Sequence, residues 1–284
     1  MTRYLRALLV LGRVSNLPTV WSNCLAGWLL GGAGDLRTFL QLSAGATLLY
    51  LGGMFLNDAF DEEFDRQHRQ ERPIPAGAIP PRTVWIWGGA WLALGAALLI
   101  PLGNSTALLT LLLAAAILLY DAVHKLVTFS PVLMAACRFF LYLVAASTGE
   151  YGVTGLAVWS ALALAAYIVG LSYLARREST AGAFSWWPLL FLAVPVGLAA
   201  VVNTGEPLKN ALLLAAILVL WMLRCLRSTL WTADRQIGRT VSGLLAGIVL
   251  VDLLAVANAP QELALVFLLL FVAALLFQRL VPAT

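Results

Sequence analysis

The sequence predicts an all-α, polytopic membrane bundle of nine or ten transmembrane helices, on three observations. Of the 284 residues, 61% are hydrophobic and only 11% are charged, where a soluble domain carries roughly 25% charged residues. The mean hydropathy is +0.89. Apolar runs of the length needed to cross a bilayer recur along the chain, and the basic residues fall unevenly between the segments that join them. A soluble domain of this length could not hide so much apolar surface. The same numbers exclude a disordered chain, a nucleic-acid-binding domain and a disulfide scaffold.

The apolar runs lie at 14–33, 38–58, 83–101, 105–122, 130–148, 155–174, 185–202, 208–226, 240–257 and 262–281. The weakest is 240–257, which carries Asp252; without it nine spans remain. With the N-terminus inside, 15 of the 18 basic residues fall on inner segments: Arg3, Arg6, Arg13, Arg66, Arg69, Arg72, Arg82, Lys125, Arg176, Arg177, Arg224, Arg227, Arg235, Arg239 and Arg279. The outer loops hold only Arg37 and Lys209. Retention of positive charge on the cytoplasmic side accounts for this split and for the net charge of +4. It predicts a plasma-membrane (inner-membrane) protein with a cytoplasmic N-terminus, folded as one domain over 1–284. Residues 1–13 show no small-residue cleavage site, so no cleaved leader is expected. Cys24, Cys137 and Cys225 sit in apolar runs without C-x-x-C spacing and read as buried small hydrophobes, not zinc ligands or disulfides. Tryptophans such as Trp21, Trp85, Trp186 and Trp231 stand near span ends, as interfacial anchors do.

The longest and most charged inner segment is 59–82; long connections are uncommon unless they have a role. If the second helix continues into it, Asn57, Asp61 and Asp65 recur at i, i+4 and i+8 on one face, with Asp58 beside them. Like charges stacked on one helical face repel, and a cation relieves that repulsion. Carboxylate and amide oxygens are hard ligands suited to Mg²⁺, which usually takes one or two carboxylates and completes its shell with substrate phosphates. Arg66, Arg69 and Arg72 would add charge toward the same phosphates. The competing reading is a solvated helix end with local pairs such as Glu62–Arg66 or Asp65–Arg69.

The string N-D-x-x-D-x-x-x-D at 57–65, followed by R-P-I-P-x-G at 72–77, resembles the first aspartate-rich motif of the UbiA superfamily of intramembrane prenyltransferases. The resemblance extends to an R-x-x-N element (Arg13, Asn16) and to a tyrosine–lysine segment after the fourth predicted helix (Tyr120, Lys125). It implies a bundle around a central cavity. It also implies Mg²⁺-dependent transfer of an isoprenoid from a prenyl diphosphate to an aromatic or other electron-rich acceptor. On that resemblance Asn57, Asp61 and Asp65 hold Mg²⁺-diphosphate with Asp58 in support, and Arg13, Asn16, Arg72, Tyr120 and Lys125 lie against the diphosphate.

Two departures stand out. The family spaces its tyrosine and lysine as Tyr-x-x-x-Lys, and this chain has one residue more between Tyr120 and Lys125; Asp121 and Lys125 also have the i,i+4 spacing of a local ion pair. After the sixth predicted helix, where the family carries a second acidic motif, only Glu178 offers a metal ligand, and Arg176 and Arg177 are expected to contact diphosphate directly. These features are similar to the EboC-type branch. Arg138, eight residues into the fifth predicted helix, is expected to face a polar cavity toward the diphosphate or an acceptor carboxylate. Asp252 is a lone buried acid without an assigned role, and His68 reads as solvated. The alternatives are a catalytically weakened relative that binds or helps export a metabolite, and a secondary transporter.

Overall fold

The computed structural model describes residues 3–176, 186–230 and 236–282. Among them the chain forms twelve α-helices: α1 (Arg3–Leu11), α2 (Leu17–Leu30), α3 (Leu36–Phe60), α4 (Glu62–His68), α5 (Pro81–Leu99), α6 (Asn104–Val123), α7 (Ser130–Ser147), α8 (Gly155–Arg176), α9 (Trp187–Val202), α10 (Glu206–Leu230), α11 (Ile237–Ala255) and α12 (Gln261–Leu280). Eight of these, α3, α5–α8 and α10–α12, are long and apolar enough to cross a membrane, so the chain is a multi-pass membrane protein. Each of the ten apolar runs coincides with a helix. Two are short. The 14 residues of α2 rise about 21 Å, less than a hydrocarbon core of about 30 Å. The other, α9, has 16 residues and carries Pro195 internally.

The run that looked weakest is α11, and the structure corrects that ranking. Its apolar window is 67% buried, more than in any of the other seven, whereas the α12 window is 11% buried. The α11 helix is central, packed against α2, α8, α10 and α12, and α12 turns most of its apolar surface outward to lipid. The α3 and α5 helices pack closely along their length, made possible by glycine. A Cβ at Gly52 would lie 2.7 Å from the backbone nitrogen of Leu92, and one at Gly95 would lie 2.8 Å from the carbonyl oxygen of Gly45. Small residues let membrane helices approach where lipid offers no hydrophobic drive. That contact locks the long α3 helix, which bears the acidic stripe at its C-terminal end.

All three cysteines are free, Cys24 and Cys225 buried and Cys137 partly so.

Candidate active site

The acidic stripe survives a break in its helix. The α3 helix ends at Phe60 and α4 begins at Glu62, with Asp61 between them at φ −82, ψ −3. The i→i−4 backbone bonds nevertheless continue, Asp61 N–H to Asn57 O at 3.0 Å and Asp65 N–H to Asp61 O at 2.8 Å. Register is therefore kept, and the stripe faces inward. Asn57, Asp58, Asp61 and Asp65 are only 2–8% exposed, while Phe60 and Phe64 on other faces are open.

Four basic side chains balance this stripe. Arg13 donates to Asn57 Oδ1 at 3.1 Å and to Asp58 Oδ1 at 3.2 Å. Arg72 lies 3.5 Å from the same Asp58 oxygen. Lys125 lies 2.8 Å from Asp61 Oδ1 and 3.9 Å from Asp65 Oδ1, and His124 Nε2 is 3.4 Å from Asp61 Oδ2. These cationic partners keep more surface open than the acids, 30% for Lys125 and 19% for Arg13. The cluster thus opens on its basic side.

Each basic group is placed by local structure. Arg13 sits in the left-handed region at φ 40, ψ 49, a conformation that costs an L-residue about 1–2 kcal/mol and persists where surrounding contacts hold it. The Tyr50 hydroxyl donates to the Arg13 carbonyl at 3.2 Å, and the 3₁₀ turn Val14–Asn16 leads from there into α2. Asn16 is buried in that turn. Arg72 is held by the R-P-I-P-x-G loop. Ile74 and Ile79 bury themselves beside Leu11, Phe55 and Val84, the Ala76 N–H closes on the Arg72 carbonyl, and Gly77 supplies φ 66, which glycine adopts without strain. Lys125 lies just beyond the end of α6, its ammonium 3.7 Å from the Phe64 ring centroid. Tyr120 stacks on His124 at 4.9 Å.

Electrostatics divides the acids. Burial raises the Asp61 pKa, but hydrogen bonds to His124 and Lys125 outweigh it and hold the carboxyl below its usual range. Burial also raises the pKa of Asp65, and Lys125 and Arg72 do not offset it, so Asp65 stays above its usual range. Burial pulls Arg72 down; burial also acts to lower Arg13, but Asp58, Tyr50, Tyr120 and Asp61 together outweigh it and Arg13 is raised.

Three carboxylate oxygens in this cluster are buried without a hydrogen-bond partner: Asp58 Oδ2, Asp65 Oδ1 and Asp121 Oδ2. Buried unpartnered acceptors are costly. Anionic oxygens left open in this way suit a hard divalent cation. Among the described residues no three His, Cys, Asp or Glu side chains enclose a metal by themselves. The stripe is thus not a complete cage, in keeping with a Mg²⁺ ion that takes few protein ligands and leaves positions for phosphate and water.

Several sequence expectations need adjustment. Lys125 pairs with Asp61, not with Asp121, whose Oδ1 accepts from Asn57 Nδ2 at 3.1 Å. The Glu62–Arg66 pair forms at 2.5 Å, but Asp65 faces Lys125 instead of Arg69. Arg176 donates to the carbonyls of Thr128 and Val127 and braces the α6–α7 connection. Arg177 and Glu178 lie outside the described residues. Arg138 is also away from the cluster. Its guanidinium donates to Asn23 Oδ1 at 2.7 Å and Thr19 Oγ1 at 3.0 Å, and sits 5.8 Å from the Tyr50 ring centroid. Sequence reasoning gave no role to His124 and considered Asp121 only as a competing local partner of Lys125. It also missed Thr19 and Asn23, although Asn16, Thr19 and Asn23 at i, i+3 and i+7 mark a polar face in an apolar run.

A membrane helix bundle with an inward acidic stripe ringed by Arg, Lys and His is the class of protein that fold and site define. The chain belongs to the UbiA prenyltransferase family, whose model matches residues 15–233. It is 33% identical over 117 residues to a digeranylgeranylglyceryl phosphate synthase of Methanothrix thermoacetophila, covering 40% of this chain and 44% of that one. It is 31% identical over 126 residues to a 4-hydroxybenzoate octaprenyltransferase of Aeromonas salmonicida, covering 44% and 36%. The matched stretch therefore spans less than half the length of either relative. A solved UbiA homologue from Archaeoglobus fulgidus, bound to DMAPP and Mg²⁺, shares the fold with TM-score 0.55 at 16% identity, over 96% of this chain and 98% of that one.

Proposed function

We propose that this protein is an integral membrane prenyltransferase. In this reading it moves an isoprenoid group from a prenyl diphosphate to an aromatic or lipid-like acceptor. The observation that carries the reading is the set of three buried carboxylate oxygens that accept no hydrogen bond, on Asp58, Asp65 and Asp121, gathered beside partly open Arg13, Arg72 and Lys125. A diphosphate approaching from the basic side meets cations that currently hold acids. Lys125 can turn from Asp61 to a phosphate oxygen, and Arg13 and Arg72, which converge on one Asp58 oxygen, can each offer a further N–H.

Asp61 and Asp65 would hold Mg²⁺ together with the Asn57 amide oxygen, with Asp58 in support. Bound there, the ion would neutralise the diphosphate and make it a better leaving group. Arg13, Arg72 and Lys125 stabilise the charge that grows on the leaving oxygen as the allylic C–O bond breaks. The acceptor's electron-rich atom forms the new bond to that carbon and loses a proton. Apolar bundle walls exclude the water that would otherwise capture the electron-poor carbon. The split of basic residues between loops supports a cytoplasmic N-terminus and a site that opens to the cytoplasmic side. Homologues bearing the names of a phospholipid-type synthase and a hydroxybenzoate transferase support an acceptor of either kind.

The test is turnover of a radiolabelled prenyl diphosphate by purified protein with Mg²⁺. Asp61→Ala and Asp65→Ala each abolish it in this reading; turnover surviving both substitutions rejects it. A second reading, binding without turnover, draws on the lone acid Glu178 where the family carries several. It expects Mg²⁺-dependent diphosphate binding with no diphosphate release.

A further inference from the structure

The turn that carries Arg13 is held from two sides by elements distant in the chain. On one side Tyr50 of α3 donates its hydroxyl to the Arg13 carbonyl at 3.2 Å. On the other side the end of α12 packs on the 3₁₀ turn Val14–Asn16. There Leu280 is exposed, but Val281 leaves the helix in an extended conformation, φ −136 and ψ 129, and is only 2% exposed. This brings the Pro282 carbonyl to Ser15, whose hydroxyl donates to it at 3.3 Å. Ser15 is fully buried, and a buried hydroxyl needs such a partner. The helix that follows the turn is fixed as well. Ser22 Oγ and Asn23 Nδ2 of α2 donate to Asp252 Oδ2 of α11 at 2.5 and 2.7 Å, and all three residues are buried. Sliding α2 to relax the turn would break these bonds, which is costly where no water replaces them.

Arg13 is the strained point between these anchors. Its φ of 40 lies in the left-handed region, which an L-residue leaves unless contacts hold it. A return to helical values swings φ by about 100°. That rotation carries the guanidinium away from Asn57 and Asp58, which it now meets at 3.1 and 3.2 Å. The strain is similar in size to the contribution of one or two hydrogen bonds, so the two remote contacts are enough to decide which conformation the turn adopts. The pair with Asp58 cannot hold Arg13 throughout turnover, because the guanidinium then shares its donors with diphosphate.

We propose that Tyr50 and the Val281–Pro282 end of α12, acting through Ser15, clamp Arg13 in its left-handed conformation, so that its guanidinium is already aimed when a diphosphate arrives. The inference rests on the prenyltransferase reading and adds to it two positioning residues, Tyr50 and Ser15, and a role for α12. A group aimed in advance spares part of the ordering cost of binding.

The test uses full-length protein and two small changes, Tyr50→Phe and Ser15→Ala, each of which removes one hydroxyl and little volume. Should Ser15→Ala not fold, Val281→Ala, which loosens the same contact, takes its place. In the absence of substrate, amide hydrogen exchange over residues 13–16 reads the clamp directly: each change accelerates it by at least about fivefold and leaves α5 as in wild type. With Mg²⁺ and geranyl diphosphate, each change weakens binding by about three- to tenfold. In an Arg13→Ala background the same changes weaken binding by less than about twofold, because a residue that acts through Arg13 has nothing left to position. A merely structural role would cost as much in either background. The inference is overturned if either change leaves exchange over 13–16 or affinity as in wild type, or if the losses persist undiminished in the Arg13→Ala background. Failure of wild type to bind geranyl diphosphate would instead reject the prenyltransferase reading, and the exchange measurement would still decide whether the clamp exists.

Discussion

The cytoplasmic-end cluster and the deep Asp252–Asn23–Arg138 chain both place acids and bases inside an apolar bundle, yet they are built on opposite plans. In the cluster the contacts are direct, shared and partly open: Arg13 and Arg72 converge on one oxygen of Asp58, and Lys125 and His124 on Asp61. Such pairs can exchange one anion for another at little cost, because the cations stay near solvent. In the deep chain an amide stands between the charges, and the acid is sealed away. That arrangement orients a group and cannot readily let it go. The comparison teaches that the cluster is suited to exchanging partners as substrate arrives, and the chain to holding a fixed one.

The sharpest way to break this contrast is to neutralise acids of the cluster. Asp61→Ala or Asp65→Ala lowers turnover by at least about 10²-fold, the scale of losing one main electrostatic contact to the transition state, and chelation of Mg²⁺ has a comparable effect; steady-state turnover checks both. Next comes Lys125→Ala, which removes a phosphate partner and leaves Asp61 with His124 alone. Turnover falls by about 10–10²-fold, measured in the same assay.

A subtler expectation concerns the two acids of opposite shift. Asp61, with its pKa held below the ordinary 3.8, contributes stability that is present above 3.8 and lost as pH falls through the lowered value. Asp65, with its pKa raised above 3.8, contributes stability that is present below 3.8 and lost as pH rises through the raised value. At neutral pH, therefore, Asp61→Asn lowers the melting temperature of the ligand-free protein and Asp65→Asn raises it, while both impair turnover. Thermal unfolding in detergent reads the two signs. The smallest effect is at the exposed Glu62–Arg66 pair, where Glu62→Ala costs about 0.3–0.5 kcal/mol and leaves turnover unchanged.

Much of the cluster was legible because helical periodicity outlives the helix. Asn57, Asp61 and Asp65 stay on one face because the i→i−4 bonds run through the break at Asp61. The same rule offers a pair at Asp121 and Lys125 that does not form. The α6 helix ends at Val123, so Lys125 leaves the helical path on which an i,i+4 pair depends, and the unlike charge of Asp61 captures it. Asp252 was illegible for another reason. The partners that make it tolerable, Ser22 and Asn23, lie about 230 residues away in the chain; local hydropathy counted the acid as a defect in its span. Arg138 was expected to face a polar cavity toward the diphosphate or an acceptor carboxylate, but its neighbours come from α2 and could only be known from packing. The ten apolar runs were visible in composition alone, whereas the shortness of α2 and α9 depended on where the turns around them closed.

The central claim is that the inward stripe binds a diphosphate through a divalent ion. Equilibrium binding of geranyl diphosphate to purified wild-type and Asp65→Asn protein, with Mg²⁺ and with EDTA, tests it most directly. The account predicts binding by wild type that requires Mg²⁺ and is at least about tenfold weaker in the variant. Binding indifferent both to Mg²⁺ and to Asp65 would contradict it.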